Sequence, residues 1–497
     1  MYNSGHMAEN DMSYAYEKQY HDGVPFANAI ANVAFKSSKA ISLGSSFIDT
    51  SSIASSQPTR HPLPRVFSLT DGLVALAHVV QVLNSGANTG YEAFVDAHSG
   101  DIIAVTDFSA HARYTVVPIT RASVAEGEQT LINPEDLTSS PQGWVQNGVT
   151  VNNVVSFMGS LANTTVQSSP NTFDYPYRMV LDPQLGGNVN AARTNTFYII
   201  KKIHDYMYKY GWTEAVYNFQ QNNFGKGGKG DDCVQISVQD VGRVNNANFL
   251  TRPDGQPGSC QMYIWTKSVP KHDGDVQNDV IVHEMTHGIT NCLTGGGMAR
   301  CLQTVESKGL GEGWSDGARW TEQKSATISD YVVAAWVKNK SAGIRHYPYS
   351  TNPNVNPLRY SSLAKLGKVH YISKVWANML HNVYAALVKT YGWSSRAMDD
   401  ATGREGNIVY LHLFTDALSL QPCNPTFVQA WAAWIQADVN RIMELMLVSF
   451  GKPSRAGDWG CLQQTMWTML PLMNLNFCGN STPKTRRVMV NDGADRL

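Results

Sequence analysis

Charge is scarce in this sequence. Lys, Arg, Asp and Glu together make up 16% of it, against about a quarter in an ordinary soluble domain. The 39 basic and 40 acidic residues leave a net charge of -1, which argues against a polyanion-binding protein, because nucleic-acid binders carry a basic excess or patch. Long apolar runs are also missing. No stretch reaches about 18 uninterrupted apolar residues, so no membrane-spanning helix is expected. The first 232 residues contain no cysteine, and no C-x-x-C pair occurs anywhere. A thiolate zinc finger or thioredoxin-like redox motif is therefore excluded. Residues 1–22 have neither a basic stretch nor an apolar core and do not read as a signal peptide.

What is present points to a large folded protein of two to four units, with 497 residues and 43% hydrophobic content. Seven cysteines, low charge and sequons at Asn163, Asn339 and Asn480 together favour a secreted, glycosylated, disulfide-containing chain. Either the chain is not secreted or this start is not the native one, and the second is the expectation.

Along the chain, residues 24–48 read as a helix followed by a short strand, and residues 49–64 as a Ser/Pro-rich linker. RVFSLT, LVALAHVVQVLN, YEAFVDA and IIAVTDF read as strands, with HSGD as a hairpin turn. Residues 1–109 thus form a small α+β module. Residues 110–180 are turn-rich with scattered β segments. From residue 190 the spacing of Phe197, Ile200, Ile203, Tyr206 and Met207 is helical. The Gly-rich loop NFGKGGKGDD (223–232) lacks the phosphate-loop order and precedes a strand, so it is not read as a phosphate cradle. Beyond residue 276 the chain is mostly helical, with long apolar helices at 368–390, 407–419 and 425–448. The order, β-rich then α-rich, predicts two lobes with a cleft between them.

The chemistry sits in DVIVHEMTHGITN, 279–291. On a helix, His283 and His287 lie one turn apart on one face. Both imidazoles can then reach a single zinc ion, and Glu284 can act as general acid/base beside it. The competing reading is a core helix whose two histidines are only hydrogen-bonded. The layout H-E-x-x-H-x-x-G-x-x-H fails, because Thr290 and Leu293 stand where Gly and His are required. A third ligand is sought in ESKGLGEGWSDGARW, 306–320. Glu312 and Asp316 are again i and i+4. Glu312 would complete a two-His, one-Glu site, and Asp316 would hold a ligand imidazole by its outer N–H. Glu306 is the alternative ligand. His370, at the start of a predicted helix, is the candidate oxyanion donor. His204, His381 and His412 are read as structural.

These segments, in this order, resemble the fungalysins, secreted fungal zinc metalloproteases related to thermolysin. The likeness runs from about residue 85 to 475. It is carried by YEAFVDAHSG, TNTFYIIKKIHDYMYKYG, NFQQNNFGKGGKGDD, NNANFLTRPDGQPG, HEMTHGITNCLTGG, GLGEGWSD, GIRHYPYSTNPNVNPLRY, VHYISKVWANML and LQPCNPTFVQA. The resemblance implies an α+β fold, with a thermolysin-like, two-lobed catalytic domain preceded by a small α+β prosegment. Residues 1–109 would be a partial prosegment, 110–275 the β-rich lobe, and 276–497 the zinc helix and α-helical lobe. It implies a monomeric zinc endopeptidase, made as a zymogen, that cleaves internal bonds of proteins or peptides with a zinc-activated water. The prosegment would be its intramolecular inhibitor, and nucleic acid and membrane would not be partners. His283, His287 and Glu312 match the family's zinc ligands, Glu284 its catalytic glutamate, and His370 its second catalytic residue. Asn246, Ala247 and Asn248 match a substrate-pairing edge strand, and Arg345 an arginine on a substrate carbonyl. A calcium ion is a further expectation, with no ligands named. Cys423 and Cys461 look like a family-type disulfide, whereas Cys292, where the family has Arg, is expected to pair with Cys301. Two rival readings are a catalytically silent binding protein and a zinc exopeptidase.

Overall fold

The computed structural model describes residues 2–8, 12–21, 24–36, 39–51, 65–69, 73–84, 89–107, 112–146, 149–150, 152–165, 168–169, 171–318, 321 and 323–450. Side chains are described only to residue 441 in the last helix. The chain divides into two compact units, Met1–His111 and Ala112–Leu497.

The described part of the first unit is β structure: an eight-stranded sheet spanning Tyr2–Ala8 to Ile102–Asp107. The helix expected after residue 24 is instead the strand Val24–Lys36. The Ala- and Asn-rich run VPFANAIANVAFK has helical composition. Its burial, however, alternates through Asn28, Ala29, Ile30, Ala31 and Asn32, with only the alanines buried. Pairing with the strands on both sides overrides local propensity. A small core of Phe26, Ala29 and Val66 holds the layer. The expected hairpin at HSGD forms: the Asp96 carboxylate accepts from the His98 and Ser99 amides at 2.8 and 2.9 Å. Most of the expected linker, residues 52–64, lies outside the described residues.

The second unit runs from β to α. A three-stranded sheet joins Gln129–Ile132, Arg113–Val116 and Thr172–Phe173. A five-stranded sheet follows the order Ser160–Thr164, Val154–Met158, Val234–Ser237, Ser259–Met262, Ala247–Leu250. Ala247–Leu250 pairs with Ser259–Met262 alone and is therefore an edge. Among the described residues, seven helices follow or flank these sheets: α1 (Asn188–Lys209), α2 (Asn278–Leu293), α3 (Val305–Asp316), the short α4 (Ala335–Lys338), α5 (Val369–Tyr391), α6 (Gly406–Leu420) and α7 (Phe427–Phe450). The helices expected at 190–211, 368–390, 407–419 and 425–448 all form. No helix among the described residues is long and apolar enough to cross a membrane.

One polar clamp sets α2 in place. Asn195 of α1 accepts from the Val117 amide at 2.9 Å and donates to Asn278 Oδ1 at 3.0 Å. Asn278, the first residue of α2, donates in turn to the carbonyls of Val117, Pro118 and Arg121. Both asparagines are buried. Removing one side chain would orphan buried backbone groups, at a cost of about 1–3 kcal/mol each.

Contact between α3 and α5 depends on glycine. A Cβ on Gly309 would lie 2.2 Å from Ile372 Cγ2, and one on Gly313 2.7 Å from Trp376 Cβ. These residues are four apart and share one face. The two helices therefore meet backbone to side chain with no room for a methyl group.

Candidate metal centre

The α2 helix carries His283, Glu284 and His287 in a buried setting, and α3 carries Glu312 and Asp316. A reciprocal capping box starts α3: Thr304 Oγ1 accepts from the Ser307 amide, and Ser307 Oγ from the Thr304 amide. The two helices run antiparallel where they meet. His283 faces Asp316, and His287 faces Glu312 and Ser315.

His283 Nε2 and His287 Nε2 lie 3.1 Å apart with their rings perpendicular. Glu312 Oε2 is 3.4 Å from His283 Nε2, and Oε1 is 3.6 Å from His287 Nε2. Ligand atoms at about 2.0–2.2 Å around a tetrahedral zinc ion stand about 3.3–3.6 Å from one another. The donor set thus fits such an ion in both chemistry and spacing. It is also the one group of three metal-capable side chains among the described residues; no second group supports the expected calcium ion.

The outer nitrogens of the ligand imidazoles are held too. His283 Nδ1 is 2.9 Å from Asp316 Oδ1, and His287 Nδ1 is 3.1 Å from Ser315 Oγ. Asp316 is fully buried and heavily compensated. Arg345 Nε and Nη2 each donate to it at 2.7 Å, and the Tyr349 hydroxyl donates as well. Burial would raise the Asp316 pKa, but Arg345 and His283 hold it well below the usual carboxylate range. Burial likewise opposes the ionised Glu312, yet His287, His283 and His370 hold its pKa far down. These two anions overcome burial and push His283 up to about 10. Burial pushes the neighbouring His287 the other way, down to about 4. Burial pushes Glu284 up to about 7, against the lowering effect of His283.

The other expected residues fall around this centre. His370 opens α5, with Nδ1 3.2 Å from Glu312 Oε2 and a side chain 65% exposed. Asn246, Ala247, Asn248 and Arg345 line the same cleft, of about 410 Å³, as His283, Glu284, His287, Glu312 and His370. The alternative ligand, Glu306, faces elsewhere and accepts from the Phe427 amide at 2.7 Å. His204 is bonded to Asp205 and Gln220, and His412 to the Ala401 carbonyl. His381 is buried.

The cysteine expectations are corrected. Cys301 bonds to Cys423, and Cys292 is a buried free thiol, as are Cys233 and Cys260. Cys292 ends α2 within the core. Past the glycine turn, the chain brings Cys301 beside the segment after α6, where the Leu302 amide donates to the Cys423 carbonyl at 2.8 Å. Cys461, the partner expected for Cys423, lies outside the described residues. Sequence reasoning also missed Ser315 and Tyr349. Ser315 had a signal, since it lies three residues after Glu312. Tyr349 had none.

A family model described as fungalysin metallopeptidase (M36) matches residues 113–446. The extracellular metalloproteinase mep of Aspergillus fumigatus is 38% identical over 394 residues, covering 75% of this chain and 62% of the relative. Extracellular metalloproteinase 1 of Trichophyton equinum is 38% identical over 368 residues, covering 70% and 60%. The extracellular metalloproteinase MEP of Leptosphaeria maculans is 38% identical over 368 residues, covering 69% and 58%. The chain spans about three fifths of the length of these relatives.

Proposed function

From the premise that this chain belongs to the fungalysin metallopeptidase (M36) family, we propose that it is a secreted zinc metalloendopeptidase that hydrolyses internal peptide bonds. The observation that carries the reading is the convergence of His283, His287 and Glu312 in a cleft also lined by Glu284 and His370. Those three residues would hold one zinc ion, which when bound supplies a Lewis acid that polarises the scissile carbonyl and acidifies a water.

The chain's own residues do the remaining work. Glu284, buried yet lining the cleft, takes the proton from the attacking water and passes it to the leaving amine. His370 has Nδ1 turned to the Glu312 carboxylate, and in its doubly protonated form its Nε2–H donates to the oxyanion that develops on the substrate. Asp316 and Ser315 fix the ring orientation of His283 and His287. The free edge of Ala247–Leu250 offers backbone groups to an extended peptide, with Asn246, Ala247 and Asn248 at the cleft. Arg345, with Nε and Nη2 on Asp316, has Nη1 left for a substrate carbonyl. Residues 1–109 act in this reading as a prosegment, an inhibitory and folding module of a zymogen. Residues 110–275 and 276–497 form the two catalytic lobes.

The test is casein hydrolysis by the catalytic unit, freed from residues 1–109 after folding, with and without 1,10-phenanthroline. Cleavage should be lost to the chelator and restored by zinc. Glu284→Gln should keep zinc and lose about 10²- to 10⁴-fold in kcat, the contribution of a general base. Normal turnover in that variant would refute the role of Glu284. Release of terminal residues alone would favour an exopeptidase, and zinc binding without cleavage a silent binder.

A further inference from the structure

Among the described residues, one permanent charge of the cleft has no counter-ion. Glu312 faces the imidazoles of His283, His287 and His370. Arg345 is bound bidentately to Asp316. Lys308 also lines the cleft and is exposed. Its ammonium makes no hydrogen bond or ion pair with any described residue. Its i+4 neighbour on α3 is Glu312, the natural intrahelical partner, but the Glu312 oxygens are turned to the three imidazoles.

The helix register fixes where Lys308 stands. The antiparallel meeting of α2 with α3 pairs His283 with Asp316 and His287 with Glu312. One turn further, the same register sets Asn291 opposite Lys308, and both line the cleft together with Gln303. At the other end, one turn before His283, Val280 lines the cleft with Val333 and Ile344. The cleft therefore has one end with the aliphatic Val280, Val333 and Ile344 beside Arg345, and another with Lys308 and the amides of Asn291 and Gln303 beside Leu302 and Val369. Lys308 lies about 6 Å along α3 from Glu312. A peptide that runs along α3 and advances about 3.3 Å per residue would meet this end about two residues from the bond that is cut.

We propose that Lys308 makes this end a subsite for an acidic side chain, Asp or Glu. The acid lies within about two residues of the scissile bond, on the side away from Val280 and Ile344. The proposal rests on the peptidase reading. A lysine on a flexible stem is a point charge that accepts either carboxylate. Because it is exposed, the effect is a preference and not a requirement. An exposed ion pair corresponds to about a two- to five-fold ratio, which shrinks as salt screens it.

The experiment uses the full chain loaded with zinc and then activated by cleavage between the segment 1–109 and the catalytic unit, with a set of fluorogenic peptides sharing one cleavable bond. Ala, Leu, Glu or Lys is placed in turn at each position on either side of that bond. The best Leu position marks the end with Val280, Val333 and Ile344. Wild type should then prefer Glu over Ala in kcat/KM by about two- to five-fold, on the opposite side of the bond, and should disfavour Lys there. Lys308→Ala should bring that ratio to about one, and Lys308→Glu should invert it in favour of Lys. High salt should flatten the wild-type ratio. A ratio of one in a wild type that cleaves the series overturns the assignment while leaving the peptidase reading intact. So does an acid preference that persists in both variants or falls on the Leu side. Failure of the zinc-loaded, activated protein to cleave any peptide overturns both.

Discussion

A methyl group added to α3 should have opposite effects at two positions only two residues apart. At Gly313 the new Cβ would meet Trp376 Cβ at 2.7 Å, the Ser373 carbonyl at 2.8 Å and Trp376 Cδ1 at 3.0 Å. These are backbone and ring-root atoms of α5 and cannot swing aside. Relief to an ordinary contact of about 3.4 Å requires α3 and α5 to separate by roughly 0.7 Å, an overpacking cost of about 1–3 kcal/mol. At Gly311 the nearest atom is Leu302 Cδ1 at 3.4 Å, the tip of a flexible side chain. There the gain in helix propensity, about 1 kcal/mol, is not offset. Gly311→Ala should therefore match or exceed wild-type stability in chemical denaturation, and Gly313→Ala should fall below it by about 1–2 kcal/mol. Separation of α3 from α5 also pulls His370 away from Glu312, now 3.2 Å apart. Misplacement of this order should lower kcat/KM of Gly313→Ala by about tenfold or more. A Gly313→Ala protein as stable as Gly311→Ala would refute the claim that glycine sets the α3–α5 spacing.

Three further outcomes are expected. Asp316→Asn, which loosens His283 and leaves Arg345 without its anion, should weaken zinc binding by about 10- to 100-fold; unchanged affinity in chelator competition would remove Asp316 from that role. Cys301→Ala opens the link to Cys423 across 122 residues and should lower stability by about 2–4 kcal/mol, read by denaturation under oxidising conditions. Lys201 is buried in α1 and donates to Asn153 Oδ1 at 2.9 Å, and burial, opposed by Asp205, lowers its pKa to about 7. Between that value and the unfolded value of 10.5, the unfolded chain binds the extra proton. Wild-type stability should therefore rise with pH across this window by up to about 1.4 kcal/mol per unit from this group, and be lost as pH falls. Lys201→Met should abolish that slope, and parallel denaturation curves at pH 7 and pH 9 would contradict it.

The residues that meet at the centre differ sharply in how far the sequence announces them. His283, Glu284 and His287 lie within one helical turn, and Glu312, Ser315 and Asp316 within another. Helical periodicity alone puts each set on one face, so local spacing carries most of the metal chemistry. Long apolar helices were legible for the same reason, since apolar residues such as Phe197, Ile200, Ile203 and Met207 of α1 recur at helical spacing in the sequence. The strand Val24–Lys36 was misread because its alternation is carried by alanines, whose burial depends on neighbouring strands rather than on their own hydrophobicity.

What stayed hidden is whatever depends on two distant segments meeting. Arg345 and Tyr349 reach Asp316 from a loop about 30 residues away, and nothing in GIRHYPYS specifies that carboxylate as their target. Cys301 finds Cys423 across most of the helical lobe, whereas the shorter loop to Cys292 looked cheaper to close. The loop entropy did favour that nearer pair, but α2 buries Cys292 in the core and the backbone bond from Leu302 to Cys423 sets the distant pair side by side. Gly309 and Gly313 give the same lesson from the opposite direction. In sequence they are weak points of a helix, each less favourable than alanine by about 1 kcal/mol. In the fold their missing side chains are the space that α5 occupies, and His370 reaches Glu312 because that space is left empty.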